Sequence, residues 1–209
     1  MPDELTALHR HVAFFDRDGD GRVTSGDVFE MLRLLGCGRA YACINAIGGM
    51  LARTTEPGVL SQDVVVANAH RGKYRHPDLT GETRIFDRDG RFDAGRFDDV
   101  LARYGRSGVD GLTESDIAAM IDDISPASSI GRSSSQLAFR LLLTIAGEPS
   151  PHGGLMLTRT RLRAFYEGDL LPALLAAPRD SPPNPEPIVG TFAGVMWGAA
   201  RVACPFKNL

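Results

Sequence analysis

Cysteine is scarce in this chain, and so are an excess of either charge and long apolar runs. The three cysteines, Cys37, Cys43 and Cys204, form an odd set without CxxC spacing, which fits buried or free thiols in a reducing compartment rather than a disulfide frame. Lys and Arg number 23 against 26 Asp and Glu, a net charge of −3 with no basic cluster, so nucleic acid finds nothing to bind. The opening MPDELTALHR holds two acids and no apolar run, so no secretory signal is expected and the default location is cytoplasmic. Neither apolar stretch, within 34–51 or within 188–200, supplies the ~20 clean apolar residues of a spanning helix, so peripheral membrane contact is the most that is expected. What remains is 43% apolar and 23% charged over 209 residues, enough to bury a core in one or two domains.

The strongest motif is HRHVAFFDRDGDGRVTSGDVFEMLRLL at 9–35, which fits the EF-hand template of helix, metal loop and helix. Asp16, Asp18 and Asp20 take loop positions 1, 3 and 5, Gly21 position 6, Arg22 position 7 through its backbone carbonyl, Val23 position 8, Thr24 position 9 and Asp27 position 12. Alternate oxygens converge on one cation only if the backbone turns sharply, and glycine permits that turn. Asp27 stands where glutamate is usual. Its side chain is one methylene shorter, which predicts weaker Ca²⁺ affinity or greater tolerance of Mg²⁺.

The position-8 residue and its apolar followers recur. Val23, Val28, Met31 and Leu32 are matched by Phe92, Phe97, Val100 and Leu101, by Leu112, Ile117, Met120 and Ile121, and by Leu157, Leu162, Phe165 and Tyr166. Each set reads as a short β-bridge residue followed by an amphipathic exit helix. The expected fold is therefore mainly α, with one intact and three degenerate EF-hand-like units that pair to complete a core. Ca²⁺ is expected at the first loop only. The second is two residues short and has Arg96 at the last ligand position, the third has Gly105, Ser107 and Val109 in place of carboxylates although Asp116 follows, and the fourth ends on Arg161.

Residues 34–86 are an insert that a plain calcium sensor has no need of. LLGCGRAYACINAIGGML is apolar but interrupted by Arg39, Asn45 and four glycines, and reads as a core helix or as a monotopic lipid-contacting segment. DVVVANAHRGKYRHPDLTGETRIFD follows, a β-branched run and then a basic loop bearing histidines. Beyond 177 come a proline-rich linker, PRDSPPNPEP at 178–187, and an apolar segment, 188–209. Residues 188–200 are long enough to dock on this molecule, on the second copy of a homodimer or on a membrane interface, and too short to span a bilayer.

With these residues in view, the chain resembles the caleosin/peroxygenase family. The likeness rests on HVAFFDRDGDG at 11–21, LLGCG at 34–38, NAHRGK at 68–73, HPDLTG at 76–81, FDRDGRF at 86–92, GLTESDI at 111–117 and YEGDLL at 166–171. The resemblance implies a haem protein that requires calcium, uses organic hydroperoxides to oxygenate unsaturated lipids and in many relatives attaches to lipid droplets or membranes. It carries the family's first functional histidine onto His11 and the second onto His76, with Thr80 and Gly81 in register. The segment before His76 is two residues longer than in the family, so His70 and Tyr74 stand as alternatives, and Asp78-Leu79 replaces the usual Ser-Asp pair. Cys37 is a rival, thiolate ligand for iron. His9 and His152 match nothing and are expected to be solvated. The apolar hairpin and proline knot that follow the Gly-Cys-Gly region in the family are reduced to TTEPGVLSQD with a single Pro57, which argues against firm membrane insertion.

The resulting expectation is a caleosin-like domain over 1–177 with a haem-binding insert, holding haem b and Ca²⁺. Heterolysis of a bound hydroperoxide requires one group on the iron and another that moves a proton from the near to the far oxygen; His11 and His76 fill the two roles, in an order the sequence leaves open. The co-substrate is a hydroperoxide and the substrate an apolar, unsaturated molecule of fatty-acid type. A calcium-binding structural or sensor protein at a lipid surface is the alternative.

Overall fold

A computed structural model describes residues 5–51, 63–70, 83–105, 108–124 and 129–177. These are mainly helical: α1 (Ala7–Ala13), α2 (Ser25–Leu34), α3 (Arg39–Leu51), α4 (Ala94–Tyr104), α5 (Glu114–Ile124), α6 (Ser129–Ala146), α7 (Arg159–Glu167) and α8 (Leu170–Ala176). The strands are short: β1 (Arg22–Val23) pairs antiparallel with β2 (Val64–Val65), and β5 (Leu155–Thr158) lies between β3 (Gly111–Thr113) and β4 (Glu148–Pro149).

The apolar recurrence becomes the core. Leu112 and Leu157, the position-8 residues of the third and fourth candidate loops, are directly opposite each other on β3 and β5, and both are buried. From the helices that follow, Ile117, Met120, Ile121, Leu162 and Tyr166 join them, with Phe97 and Leu101 of α4. The other two loops pair differently. Val23 bonds across to Val64 of the insert, and Phe86 bridges Phe92 within its own turn. α4 serves twice, as the helix after the second loop and the helix before the third.

A second cluster forms where α2 packs on α3, around Phe29, Leu32, Leu35, Tyr41, Cys43 and Ala46, with Cys37 in the connecting turn. Cys37 and Cys43 are both fully buried in it. The described part of this stretch, from Leu35 to Ala46, is therefore a core helix and its approach, as the apolar spacing allowed. Among the described residues, no helix is long and apolar enough to cross a membrane. Ile145 on α6 and Leu174 on α8 touch both clusters and join them.

Candidate metal centre and histidine site

Between α1 and α2 the chain turns through Gly19 and Gly21, both with left-handed backbone (φ +72° and +84°) that side chains with a Cβ rarely adopt. The turn is tied by its own aspartates. Gly21 N–H donates to Asp16 Oδ2 (2.9 Å), Asp20 N–H to Asp18 Oδ1 (3.3 Å) and Arg22 N–H to Asp20 Oδ1 (2.7 Å). One ligand atom from each of Asp16, Asp18 and Asp20 lies within 4.8 Å of the others. Asp16 Oδ1 is buried with no hydrogen-bond partner. An orphaned carboxylate oxygen costs roughly 1–3 kcal/mol, and a bound cation removes that cost, so the donor set fits a hard ion with oxygen ligands.

Asp27 stands apart from that trio. Its Oδ2 accepts from Thr24 N (2.8 Å) and Thr24 Oγ1 (2.6 Å), while Asp27 N–H donates back to Thr24 Oγ1 (3.2 Å), a reciprocal cap on α2. The third loop repeats it: Asp116 Oδ2 accepts from Thr113 N (3.0 Å) and Oγ1 (2.8 Å), at the head of α5. That loop has no carboxylate at its first three ligand positions, so capping by itself accounts for an aspartate at this position. At the same position in the second and fourth loops, arginines brace the fold. Arg96 reaches Asp93 and the Arg84 carbonyl; Arg161 reaches Glu148 and the Ala146 carbonyl.

The second loop is satisfied from within. Asp87 Oδ1 accepts from the N–H groups of Asp89 (2.9 Å) and Arg91 (2.8 Å), and Arg91 Nη1 donates to Asp89 Oδ2 (2.8 Å). Its Gly90 presses on α1, where an added Cβ would come within 3.0 Å of Thr6 Oγ1 and 3.1 Å of Leu8 Cβ. The loop thus works as a packing turn against the helix that leads into the first loop.

α1 presents His9 and His11 to different surroundings, because residues two apart on a helix lie about 200° apart around its axis. His11 faces α7. Its ring meets Phe165 edge-on (centroids 4.6 Å), with Phe15 at 6.3 Å, and Nδ1 lies 3.3 Å from the Phe165 carbonyl oxygen. A carbonyl only accepts, so Nδ1 donates and a neutral His11 carries its lone pair on Nε2.

His9 was expected to be solvated, and it is not. It is half-buried, with Nδ1 2.7 Å from Thr6 Oγ1 and Nε2 3.1 Å from His70 Nδ1, the two rings nearly perpendicular. Thr6 is the N-cap of α1 but spends its hydroxyl on His9 and not on a helix N–H. Burial lowers the His9 pKa below 6.5, the positive potential of His70 lowers it further, and a hydrogen bond to the Ala67 backbone partly offsets both. His70 therefore meets His9, on the far side of α1 from His11. His152 is exposed, as expected. His76, Tyr74, Pro57 and Cys204 lie outside the described residues.

Sequence reading missed the Thr6–His9–His70 chain, since 61 residues separate the two histidines and neither spacing nor periodicity links them. The two Thr-x-x-Asp caps did leave a signal, the capping-box pattern of hydroxyl and acid three residues apart.

The sequence profile of the family described as caleosin related protein matches residues 3–174. Among curated proteins, the chain is similar to "Probable peroxygenase 4" of Arabidopsis thaliana, 27% identical over 180 residues that cover 83% of this chain and 88% of that one. It is similar to "Peroxygenase" of Lilium longiflorum, 27% identical over 179 residues, 81% of this chain and 70% of that one. A shorter likeness, 29% over 93 residues, is to "Probable inactive peroxygenase-like protein" of Arabidopsis thaliana, covering 44% of this chain and 43% of that one. No solved structure matches.

Proposed function

This chain belongs to the caleosin family, and from that premise we propose that it is a haem-dependent, calcium-requiring peroxygenase that uses hydroperoxides to epoxidise or hydroxylate an apolar, unsaturated substrate of fatty-acid type. The observation that carries the reading is the match over residues 3–174 to a family whose curated relatives are named peroxygenases.

The local chemistry supports it. Bound haem b supplies a redox-active iron with which hydroperoxides surrender an oxygen atom to a double bond or C–H group. His11 is the residue that would hold the iron: its Nδ1–H is donated to the Phe165 carbonyl, and Phe15 and Phe165 restrict the ring. His76 is the proposed acid/base that moves a proton between the two peroxide oxygens. Asp16, Asp18 and Asp20 form the Ca²⁺ loop, a single EF-hand, with the Arg22 carbonyl. Asp27 offers Oδ1 alone, because Oδ2 is committed to capping α2. Monodentate ligation by a short side chain goes with modest affinity and tolerance of Mg²⁺.

The test is atom transfer. Protein reconstituted with haemin and Ca²⁺ and given an ¹⁸O-labelled alkyl hydroperoxide with an unsaturated fatty acid is expected to place the label in the epoxide or alcohol. His11→Ala and His76→Ala are expected to abolish this and retain a cooperative melt. Unlabelled product, or no oxygenation by a haem-loaded wild-type protein across unsaturated fatty acids, contradicts the reading and favours the non-enzymatic calcium-binding alternative.

A further inference from the structure

Where α1 runs into the first loop, the structure leaves an open groove of about 570 Å³ walled mainly by Phe14, Met31, Leu34, Pro172 and Leu175, with Asp16 and Arg17 at its charged edge. Two of these are among the three exposed large apolar side chains of the described residues. Leu34 is 54% and Leu175 41% exposed; of the large hydrophobic residues described, only Leu5 is exposed to a similar degree, and it does not line the groove. Single exposed leucines are ordinary, but two lining one mainly apolar groove give an apolar segment a surface to lie on.

The occupant is suggested by where the chain goes next. α8 ends at Ala176, itself part of the groove wall. The linker at 178–187 has a proline at five of its ten positions and reaches about 30 Å when extended, whereas the whole of α8 is about 10 Å long. The linker can therefore return the chain to the face it has just left. It delivers Ile188–Ala200, IVGTFAGVMWGAA, which contains no charged residue and whose Phe192, Val195, Met196 and Trp197 gain by leaving water. Tethering makes this contact intramolecular, an advantage no free amphiphile has.

We propose that residues 188–200 dock in this groove of their own chain, with Trp197 among the inserted side chains. The proposal is independent of the haem reading and stands or falls separately from it.

Trp197 is the only tryptophan, so the emission of the full-length protein reports this segment alone. The expected spectrum is blue-shifted and resistant to acrylamide, unchanged on dilution and without lipid. Leu34→Glu and Leu175→Glu, each at an exposed position, are expected to move the emission to the red and raise the quenching constant severalfold while far-UV circular dichroism stays as in the wild type. Leu5→Glu, exposed and outside the groove, is expected to change neither. Four results overturn the proposal: red, freely quenched emission in the wild type; blue emission indifferent to both groove substitutions; blue emission lost on dilution together with a dimer in sedimentation, which gives the segment to a second copy; or blue emission only with phosphatidylcholine vesicles, which gives it to lipid.

Discussion

Asp16, Asp27 and Asp89 are all aspartates of loops with an EF-hand pattern, yet their surroundings give them different work. Asp16 has a buried oxygen with nothing to bond, Asp27 caps a helix, and Asp89 is ion-paired with Arg91 in a turn that closes on itself. Calorimetric titration with Ca²⁺ is therefore expected to show one site that Asp16→Ala eliminates and Asp89→Ala leaves unchanged; loss of binding in Asp89→Ala would transfer the site to the second loop. Sequence spacing put Asp16, Asp18 and Asp20 on one loop, and the structure brings one ligand atom of each within 4.8 Å of the others. Spacing did not show which oxygen of Asp27 was already taken, because capping and coordination draw on the same side chain. His9 was less legible still. Replacing it with alanine removes the bonds to Thr6 and His70, at about 1 kcal/mol for each hydrogen bond. The expected outcome is a lower melting temperature and faster hydrogen exchange at residues 63–70, and unchanged exchange there would make the chain of side chains incidental.

At the scale of elements, helix faces were readable and strand partners were not. The +5, +8 and +9 spacing placed Ile117, Met120 and Ile121, and likewise Leu162 and Tyr166, on buried faces, since a helix faithfully converts periodicity into a stripe. A two-residue strand carries no such code, so nothing in the sequence paired Val23 with Val64 of the insert. Leu157 is the point where β3, β5 and the core meet, fully buried and opposite Leu112. Leu157→Ala is expected to cost 2–5 kcal/mol, in the range of large cavity-forming substitutions, read from the denaturation midpoint at unchanged slope. A cost below about 1 kcal/mol would mean that the two loops do not share a core. The acidic first loop bears on an element too. His11 precedes Asp16 by five residues, about one and a half helical turns, so the segment that presents the imidazole runs directly into the first carboxylate. Without a cation the three carboxylates repel one another, and amides from His11 to Asp16 are expected to exchange faster in EGTA and to recover on adding Ca²⁺. Exchange indifferent to EGTA would uncouple the loop from the helix.

Among the described residues, the insert meets the first helix–loop–helix unit through the packing of α3 on α2, through the pairing of β1 with β2 and through His9 and His70. This is how two joined clusters can carry both the acidic loop and the insert that holds His70. The family and the mainly helical architecture were legible because they rest on local motifs; the fastening was not, because it depends on contacts between distant residues. The central claim is that His11 on α1 is an iron ligand whose placement depends on the calcium loop. It is tested most directly by titrating the purified, calcium-loaded protein with haemin and following the Soret band. One haem per chain is expected, with a band that shifts reversibly on chelation and fails to form in His11→Ala. An identical band in His11→Ala, or a protein that takes up no haem at all, would contradict the account.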